Sequence, residues 1–538
     1  MGNNTFTLSI ESNYNKIDKE NLLFYFIIVA ILILRTTLIG KGLVSFIDEY
    51  RYFCTLDAVK QFSQGHFTQG IVALNSTQGR PGDAFIRLIP AVVQAAMFKV
   101  VHINTNTPTS LVTAAWMNWA MLIINIVLFY KIANALFNNR WSKVAVIIYA
   151  CLANTNIYLR HILPYDMSMC FFLLALWLII KDYKGKLFTN KLPAFKIGVF
   201  SGIVFVIYPG YFLAPAMLGL MMIELPIIKS SLQRLLVRGA VYVLGFGMVI
   251  MAFEITARIG GVSYLMSSST LSSTITQGDF SEGYSFAASY LINVERGLGC
   301  LLLILLLWSL VSILWPTRFG VTETVEFRKQ RVLLTIVLML GWLCYASLVY
   351  LGHKLVFYGR ILHLFMPMLV LVCICGIANF KHSSIRYILI LISVASFLYF
   401  FIGYSKVIYV KDVAFDNKIF APLPAHVIRY NTACGNDVYD YEPFQAKYSD
   451  RPNLAAANAN DTLLLVNFGT LYPIRCHNTL VDIRNRGVLL AQGDDMSEFL
   501  PYQYEAYNSR ERQLLKTWPY QFQIYTIPSQ DRKAIKVE

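Results

Sequence analysis

Charged residues are scarce in this chain. Only 14% of its 538 residues are Asp, Glu, Lys or Arg, whereas a soluble domain of ordinary composition carries about a quarter. Hydrophobic residues make up 56% of the chain and are gathered into long runs, such as 22–40 and 297–315. A helix needs roughly 17–25 apolar residues to cross a bilayer. The composition therefore excludes an ordinary soluble protein and predicts a polytopic α-helical membrane protein.

The chain also lacks the short motifs that identify many soluble enzymes. It contains no CxxC, no HExxH and no glycine-rich nucleotide-binding loop, and it has no internal repeat or low-complexity tract. The first apolar run follows a polar stretch, is too long for the apolar part of a signal peptide and precedes no small-residue cleavage site, so we expect no signal peptide. Scattered polar residues are therefore the candidates for a functional site.

The apolar runs predict about eleven transmembrane helices. After 22–40, the spans lie near 111–137, 141–159, 165–181, 197–208, 210–224, 237–257, 297–315, 332–351, 361–380 and 387–403. The two short spans flank Tyr208-Pro209-Gly210, which predicts two half-height helices that meet at a break. Such breaks are tolerated within a membrane where they line a cavity.

The basic residues predict the orientation of these spans. The short loops 160–164 and 352–360 contain three Lys or Arg residues, whereas the loops on the other side contain sixteen. Basic loops face the cytoplasm, so the net charge of +15 is largely topological and does not indicate a nucleic-acid partner. The basic segments are 138–143, 181–196, 225–238, 316–331 and 381–386.

One further apolar segment, 84–101, would reverse this orientation if it crossed the membrane. We therefore expect it to lie along the outer surface as an in-plane helix, within a long outer loop that covers 41–110. We place the protein in the inner (plasma) membrane, with its N-terminus in the cytoplasm. Residues 1–403 then form the transmembrane domain.

Residues 404–538 lack an apolar run of spanning length. Strand-like pieces, such as Thr462–Asn467 and Phe522–Ile527, alternate with clusters of Pro, Asn, Asp and Gly. This pattern predicts a small soluble α/β domain on the outer, periplasmic or extracellular, side. Seven of the nine cysteines lie in or near the membrane part and are typical apolar packing residues. Cys434 and Cys476 lie in the outer domain and could form a disulfide there.

Two adjacent acids follow the first span, at Asp48 and Glu49. A single acid at a membrane interface is often only solvated, but these two are followed by Arg51 and by aromatic residues. One acid could face a cavity while the other pairs with Arg51. A carboxylate at the mouth of a cavity is suited to accepting the proton of a hydroxyl nucleophile, which is general-base catalysis.

Several cations are predicted to lie at the same outer level. Arg80 could anchor the in-plane helix or bind an anion, and Arg160 and His161 share one very short loop. Asp166 follows Tyr165 and is equally suited to a functional role or to stabilising a helix N-terminus. The last loop adds His353, Lys354, Tyr358, Arg360 and His363.

These cations suggest a phosphate site, since arginine matches phosphate geometry well. The histidines are suited to donating hydrogen bonds, because no carboxylate or cysteine accompanies them at metal-ligand spacing. By contrast, we expect Arg35 to extend towards the interface from the first span, and Glu254 to pair with Arg258 four residues later.

A base and a phosphate site together fit the transfer of a sugar from a polyprenyl-phosphate carrier to a hydroxyl group. The phosphate leaves readily when cations stabilise it, whereas the hydroxyl needs a base. Two other classes stay open. A transporter of lipid-linked sugars would bury ionisable residues near the middle of the membrane, and few are evident. A polysaccharide polymerase or ligase would also use lipid-linked glycans.

The residues Asp48-Glu-Tyr-Arg-Tyr52 resemble the DE-x-RY motif in the first external loop of lipid A aminoarabinose transferases. More widely, the layout of residues 20–403 resembles the GT-C superfamily of membrane glycosyltransferases, which includes protein mannosyltransferases. The Arg-x-x-x-Pro-Tyr-Asp pattern at 160–166 and the stretch Arg360–Pro367 are also similar to that superfamily. The aminoarabinose transferases have Lys-Pro after their motif, whereas this chain has Arg80-Pro81.

The resemblance implies an inverting transfer without a nucleotide sugar. Some members of the superfamily use a divalent metal, but nothing in this chain resembles a DxD site, so we expect neither a metal nor a cofactor to be required. The donor would be a polyprenyl-phosphate-linked sugar, and the acceptor a lipid, a glycan or a protein. Asp48 would be the base, with Glu49 assisting it. We expect Arg80, Arg160, Lys354 and Arg360 to bind the donor phosphate, and Arg51, His161, Tyr165, Asp166, His353 and Tyr358 to bind the rest of the substrates.

Overall fold

A computed structural model describes most of the membrane part of the chain and several pieces of the C-terminal part. The described residues are 19–39, 58, 60–75, 109–157, 163–182, 190–223, 229–274, 282–315, 324–352, 359–378, 380, 383–405, 428–431, 463–467, 477–495, 504, 509, 512–513 and 521–527. The predicted in-plane helix at 84–101 lies outside them.

The membrane part is helical. Five of its helices, α3, α9, α12, α13 and α15, are long and apolar enough to cross a membrane, which agrees with a helical membrane protein. The count of eleven crossings stays a prediction. The helices are α1 (Lys19–Thr36), α2 (Phe67–Asn75), α3 (Thr109–Leu136), α4 (Asn139–Cys151), α5 (Ala153–Asn156), α6 (Tyr165–Asp182), α7 (Lys191–Ile207), α8 (Leu213–Leu220), α9 (Lys229–Ile259), α10 (Tyr264–Thr274), α11 (Phe286–Asn293), α12 (Arg296–Leu314), α13 (Val325–Tyr350), α14 (Gly359–Cys375) and α15 (Ser383–Ser405).

Polar residues of the basic loops fix where three of these helices begin. The side chains of Asn138, Asn190 and Thr324 each accept a hydrogen bond from a backbone N–H in the first turn of α4, α7 and α13. The first N–H groups of a helix have no partner within the helix, and a side-chain oxygen just before it satisfies one of them. The loop composition therefore sets the point at which the chain enters each helix.

Three helices run parallel, as contacts at both of their ends show. At one end Glu20 of α1 pairs with Arg140 of α4, at 3.1 Å, and with Arg386 of α15, at 3.6 Å. At the other end the guanidinium of Arg35 donates a hydrogen bond to a carbonyl near the end of α4. The hydroxyl of Tyr404 likewise donates to the carbonyl of Ile157, just after α5, at 2.6 Å.

We call the end that carries Glu20, Arg140 and Arg386 the basic face, and the other end the opposite face. The end of α15 also lies at the opposite face, so the C-terminal part of the chain leaves the membrane part from that face.

Helix α14 lies at the centre of the helical bundle. Every one of its residues except Arg360 is buried, as expected for a helix that is apolar on all sides. Cys373 and Gly376 near its end contact α12: the Cys373 thiol donates to the carbonyl of Leu302, and Trp308 Nε1 donates to the carbonyl of Gly376 at 3.0 Å. Because α14 is surrounded, its first turn is held in a fixed place.

Two helix breaks lie near the opposite face. The predicted break at Tyr208-Pro209-Gly210 is present, as a short 3-10 turn at Pro209–Tyr211 between α7 and α8. The prediction of a half-height first helix is wrong, since α7 begins at Lys191 rather than at 197. A second break, at Leu152 between α4 and α5, interrupts the predicted span 141–159. No proline or glycine marks it in the sequence.

The described pieces of the C-terminal part include four strands and a helix. The strands are β1 (Ile428–Asn431), β2 (Leu463–Asn467), β3 (Val488–Asp495) and β4 (Gln521–Ile527), and α16 (His477–Arg486) lies between β2 and β3. Their order in the sheet is β1-β2-β4-β3. The β1–β2 pair is parallel, whereas β4 is antiparallel to β2 and to β3. That they form a separate soluble domain on the outer side stays a prediction.

Candidate polar site at the opposite face

Only part of the predicted site lies within the described residues. Tyr165, Asp166 and Arg360 are described, as is His363. The other predicted residues lie outside the described part of the chain, and so do both cysteines of the predicted disulfide: Asp48, Glu49, Arg51, Arg80, Arg160, His161, His353, Lys354, Tyr358, Cys434 and Cys476.

The structure brings Tyr165 and Arg360 together from two separate helices. Nη1 of Arg360 donates a hydrogen bond of 3.1 Å to the hydroxyl of Tyr165. The ring of Tyr165 also packs edge-on against the ring of Tyr208, with 4.7 Å between the ring centres. A half-buried guanidinium at the start of α14 is therefore held in place by a tyrosine from the start of α6.

Asp166 lies in the first turn of α6 and is only 2% exposed. Nδ2 of Asn125 donates to its backbone carbonyl at 2.9 Å and to its carboxylate at 3.4 Å. A carboxylate in the first turn also interacts favourably with the helix dipole. These contacts give Asp166 the structural role at a helix N-terminus that the sequence allowed.

His363 links Asp166 to the break after α7. Its Nε2 lies 3.9 Å from the Asp166 carboxylate, which is too long for a hydrogen bond. Its Nδ1 shares a hydrogen bond of 2.6 Å with the hydroxyl of Tyr211. The imidazole is fully buried. A carboxylate, an imidazole and a phenol from three separate helical segments thus form one connected polar group.

Arg35 is the clearest correction to the sequence analysis. It does not extend to the interface: the side chain is only 1% exposed and donates to the carbonyl of Ala150. The ring of Phe397 lies 5.9 Å from its guanidinium carbon. Among the described residues, its Nε and Nη1 find no hydrogen-bond partner. Its charge is near enough to Asp166 for the two to interact electrostatically.

Sequence reasoning also missed Glu295, which precedes α12. Its carboxylate is buried and accepts hydrogen bonds from the backbone N–H groups of Ala153, at 2.7 Å, and Asn154, at 2.8 Å. It therefore satisfies the N-terminus of α5 just after the break. Arg296, the next residue, has a φ of 51°, a conformation that is uncommon for residues other than glycine.

Asn154 connects the start of α5 to the start of α14. Its Nδ2 donates to the hydroxyl of Tyr290, at 2.9 Å, and to the carbonyl of Gly359, at 3.0 Å. Gly359 directly precedes Arg360, so Glu295 and Asn154 together hold the first turn of α14. The only signal in the sequence was an acid within a largely apolar stretch, and a single acid of that kind does not reveal its partners.

These residues lie deep in the protein but near one boundary of the membrane. Arg35 and Glu20 are on the same helix, and at 1.5 Å per residue they are about 22 Å apart along it. The hydrocarbon core of a bilayer is about 30 Å thick, so the group lies towards the opposite face. We call Arg35, Asn125, Tyr165, Asp166, Tyr211, Arg360 and His363 the polar cluster.

The polar cluster combines two guanidinium groups with a carboxylate, an imidazole, an amide and two phenols. Cations held in low-dielectric surroundings stabilise negative charge more strongly than cations in water do. Within the described part of the chain, no three His, Cys, Asp or Glu residues come together as a metal site would require. The chemistry that the cluster suits best is the binding of an anion beside hydrogen-bond donors.

No protein-family model matches this chain, and neither does a curated protein. Any assignment of function therefore rests on the residues and on their geometry.

Proposed function

We propose that this protein is a membrane glycosyltransferase. It transfers a sugar from a polyprenyl-phosphate carrier to a hydroxyl group of a lipid, glycan or protein acceptor, at the opposite face of the membrane part. The observation that carries the proposal is the position of Arg360, which is held by Tyr165 at the start of a buried helix, beside Asp166 and His363.

The reaction needs two kinds of group. As the bond from the sugar to the carrier phosphate breaks, negative charge develops on the phosphate, and arginine side chains stabilise it. Arg360 is the described candidate, and Arg80, Arg160 and Lys354 are the other cations that we assign to this phosphate. The proposal needs no metal, because the guanidinium and ammonium groups would stabilise the leaving phosphate.

The acceptor hydroxyl needs a base, and we assign this role to Asp48 with assistance from Glu49. Both acids follow α1, whose last turn lies at the opposite face, as does the polar cluster. The carboxylate removes the proton while the hydroxyl oxygen attacks the anomeric carbon from the side away from the phosphate, so the configuration inverts. The phosphate keeps the electron pair of the broken bond.

The decisive experiment is turnover by an Asp48→Asn variant with a purified lipid-linked sugar donor. Loss of general-base catalysis slows a reaction by roughly 10²–10⁴-fold, whereas the folded fraction should not change. Asp182→Asn is the matched control, because Asp182 ends α6 at the basic face. Turnover by Asp48→Asn close to that of the unmodified protein would rule out Asp48 as the base.

A second candidate is a transporter of lipid-linked sugars, and one observation favours it. Few ionisable residues are evident within the apolar runs of the sequence, but Arg35, Asp166, Arg331 and His363 are all buried in the membrane part. Buried ionisable residues are frequent in transport pathways. Sealed vesicles that contain the purified protein separate the two functions. A transporter moves labelled lipid-linked sugar between leaflets without chemical change, whereas a transferase releases the carrier phosphate only when an acceptor is present.

A further inference from the structure

The C-terminal part of the chain packs against α11 through Tyr504. This side chain is only 4% exposed, and its ring lies edge-on to the rings of Phe286 and Tyr290, with 5.9 Å and 5.6 Å between the ring centres. Its hydroxyl shares a hydrogen bond of 2.9 Å with the hydroxyl of Ser289. Edge-on aromatic pairs contribute more than the area that they bury. Tyr504 is therefore fixed to α11 by its ring and by its hydroxyl.

A second contact holds the same pair of segments together. Arg512 forms a buried ion pair with Glu282, which precedes α11. The guanidinium carbon of Arg512 also lies 3.9 Å from the centre of the Tyr504 ring, and a cation over an aromatic ring is attracted to the face of the ring. The C-terminal part thus contacts both the residues before α11 and the middle of that helix.

Tyr290 connects this contact to the interior of the membrane part. Its hydroxyl accepts a hydrogen bond of 2.9 Å from Nδ2 of Asn154, and the same nitrogen donates to the carbonyl of Gly359 at 3.0 Å. An amide NH₂ group has two hydrogens, so both bonds can form at once. Asn154 and Tyr290 are fully buried. A shift of Tyr290 would therefore either break a buried hydrogen bond, which is costly, or move Asn154 relative to Gly359.

The carbonyl of Gly359 belongs to the peptide unit that contains the backbone nitrogen of Arg360. The peptide unit is planar, so fixing this carbonyl also fixes the direction in which Arg360 leaves the start of α14. Tyr165 holds the guanidinium at the other end of the side chain, at 3.1 Å. Arg360 is thus held through its backbone by Asn154 and through its side chain by Tyr165. A binding group needs to be held within about 0.5 Å of its productive position.

We propose that Tyr504 is a positioning residue for Arg360. Through Tyr290 and Asn154, the packed C-terminal part keeps the first turn of α14 where Arg360 binds the carrier phosphate. Chains of packed side chains and hydrogen bonds can carry such coupling between two sites. The inference rests on the proposed function, since it assigns the C-terminal part a role in the affinity of the phosphate site.

The test is a double-mutant cycle on the binding of undecaprenyl phosphate to the purified full-length protein in neutral detergent, read by native mass spectrometry. Tyr504→Leu removes the ring and the hydroxyl, and it should weaken binding by about fivefold, within the range that one aromatic pair contributes. Tyr504→Phe keeps the ring on Tyr290 and should weaken binding less. In the Arg360→Ala background, Tyr504→Leu should cause no further loss, because it acts only through Arg360.

Gln513→Ala is the matched control, since Gln513 is the exposed neighbour of Arg512, and it should leave binding unchanged. Arg512→Ala is the second variant should Tyr504→Leu fail to fold. It removes contacts of the C-terminal part and none that joins two membrane helices, and its loss of binding should likewise vanish in the Arg360→Ala background.

Two results would overturn the inference and leave the proposed function standing. One is unchanged binding in Tyr504→Leu and Arg512→Ala, and the other is a loss in these variants that adds in full to the loss from Arg360→Ala. Unchanged binding in Arg360→Ala itself would overturn the proposed phosphate site, and the inference with it.

Discussion

Arg360 and Tyr165 are joined by a hydrogen bond of 3.1 Å, although 195 residues separate them in the chain. The bond connects the first turn of α14 to the first turn of α6. It fixes the direction of a guanidinium group that would otherwise be free to take many rotamers. If Arg360 binds the donor phosphate as we propose, the cation is already oriented before the phosphate arrives.

The first prediction concerns this pair. Arg360→Ala should weaken binding of the lipid-linked donor by about 1.5–3 kcal/mol, since a hydrogen bond to a charged group is lost. Arg360→Lys should restore only part of the binding, because an ammonium cannot contact phosphate through two parallel bonds. Tyr165→Phe should cost less, about 0.5–1.5 kcal/mol. Binding is measured with the purified donor.

Arg328→Ala is the control for this series, because it removes the same charge from the basic face. Equal losses of donor binding in Arg328→Ala and Arg360→Ala would show that Arg360 belongs to no phosphate site. Arg80→Ala extends the series to a predicted phosphate ligand outside the described residues, and it should weaken donor binding in the same way as Arg360→Ala.

The second prediction concerns Glu295. Glu295→Ala should lower the free energy of unfolding by about 1–3 kcal/mol, because the buried N–H groups of Ala153 and Asn154 lose their acceptors. Glu295→Gln should cost nearly as much, since its NH₂ group would face one of these donors. Thermal unfolding in detergent measures both. A glutamine variant as stable as the unmodified protein would mean that the carboxylate does not hold the start of α5.

The third prediction tests the close packing of α7 against α9. A Cβ atom added to Gly245 would lie 2.4 Å from the carbonyl oxygen of Phe195, whereas a Cβ added to Gly247 would meet nothing within 4 Å. Gly245→Ala should therefore destabilise the protein by about 1–3 kcal/mol. Gly247→Ala should have little effect or stabilise the helix.

The two glycines lie on the same helix, so both substitutions change helix propensity by a similar amount. The difference in stability between the two variants therefore reports the packing. Each variant is heated and then run on a size-exclusion column. The measurement is the fraction of the protein that stays monodisperse, compared between the two variants. Indistinguishable profiles would show that the two helices can separate enough to admit a methyl group.

The fourth prediction concerns the contact between the C-terminal part and the helices. Arg512 pairs with Glu282 and lies over the ring of Tyr504, at 3.9 Å, while the hydroxyl of Tyr504 bonds to Ser289 at 2.9 Å. Burial lowers the pKa of Arg512 to about 10, so the side chain stays protonated at pH 7. Arg512→Ala should therefore loosen this contact.

Limited proteolysis at pH 7 measures the effect of that change. We expect cleavage in the C-terminal part to be several-fold faster in Arg512→Ala than in the unmodified protein. Gln513→Ala is the matched control, since Gln513 is the exposed neighbour. Similar cleavage rates in the two variants would mean that the Arg512 contact does not hold the C-terminal part against the helices.

The fifth prediction is a disulfide between Cys434 and Cys476. We expect the two residues to be linked in freshly isolated protein, because both lie in the part of the chain that we predict to be on the oxidising side. Mass spectrometry of non-reduced peptides detects the link. The cysteines Cys151, Cys170, Cys300, Cys344, Cys373 and Cys375 are free and serve as the reference for thiol labelling. Two labelled thiols at 434 and 476 would contradict the prediction.

The sequence by itself determined the helical membrane class and the break at 208–210. These features depend on local composition and on the length of apolar runs, and both can be read along the chain. The ion pair between Glu254 and Arg258, at 2.7 Å, was predictable for the same reason, since residues four apart are neighbours on one helix.

Only the tertiary structure decided where Arg35, Glu295 and His363 lie. Each is a polar residue in or beside an apolar stretch, and its role depends on a partner more than a hundred residues away, such as Ala150, Ala153 or Tyr211. A buried polar group is stable only where a partner satisfies it. The packing of the helices decides which segment supplies that partner, and the local sequence does not indicate it.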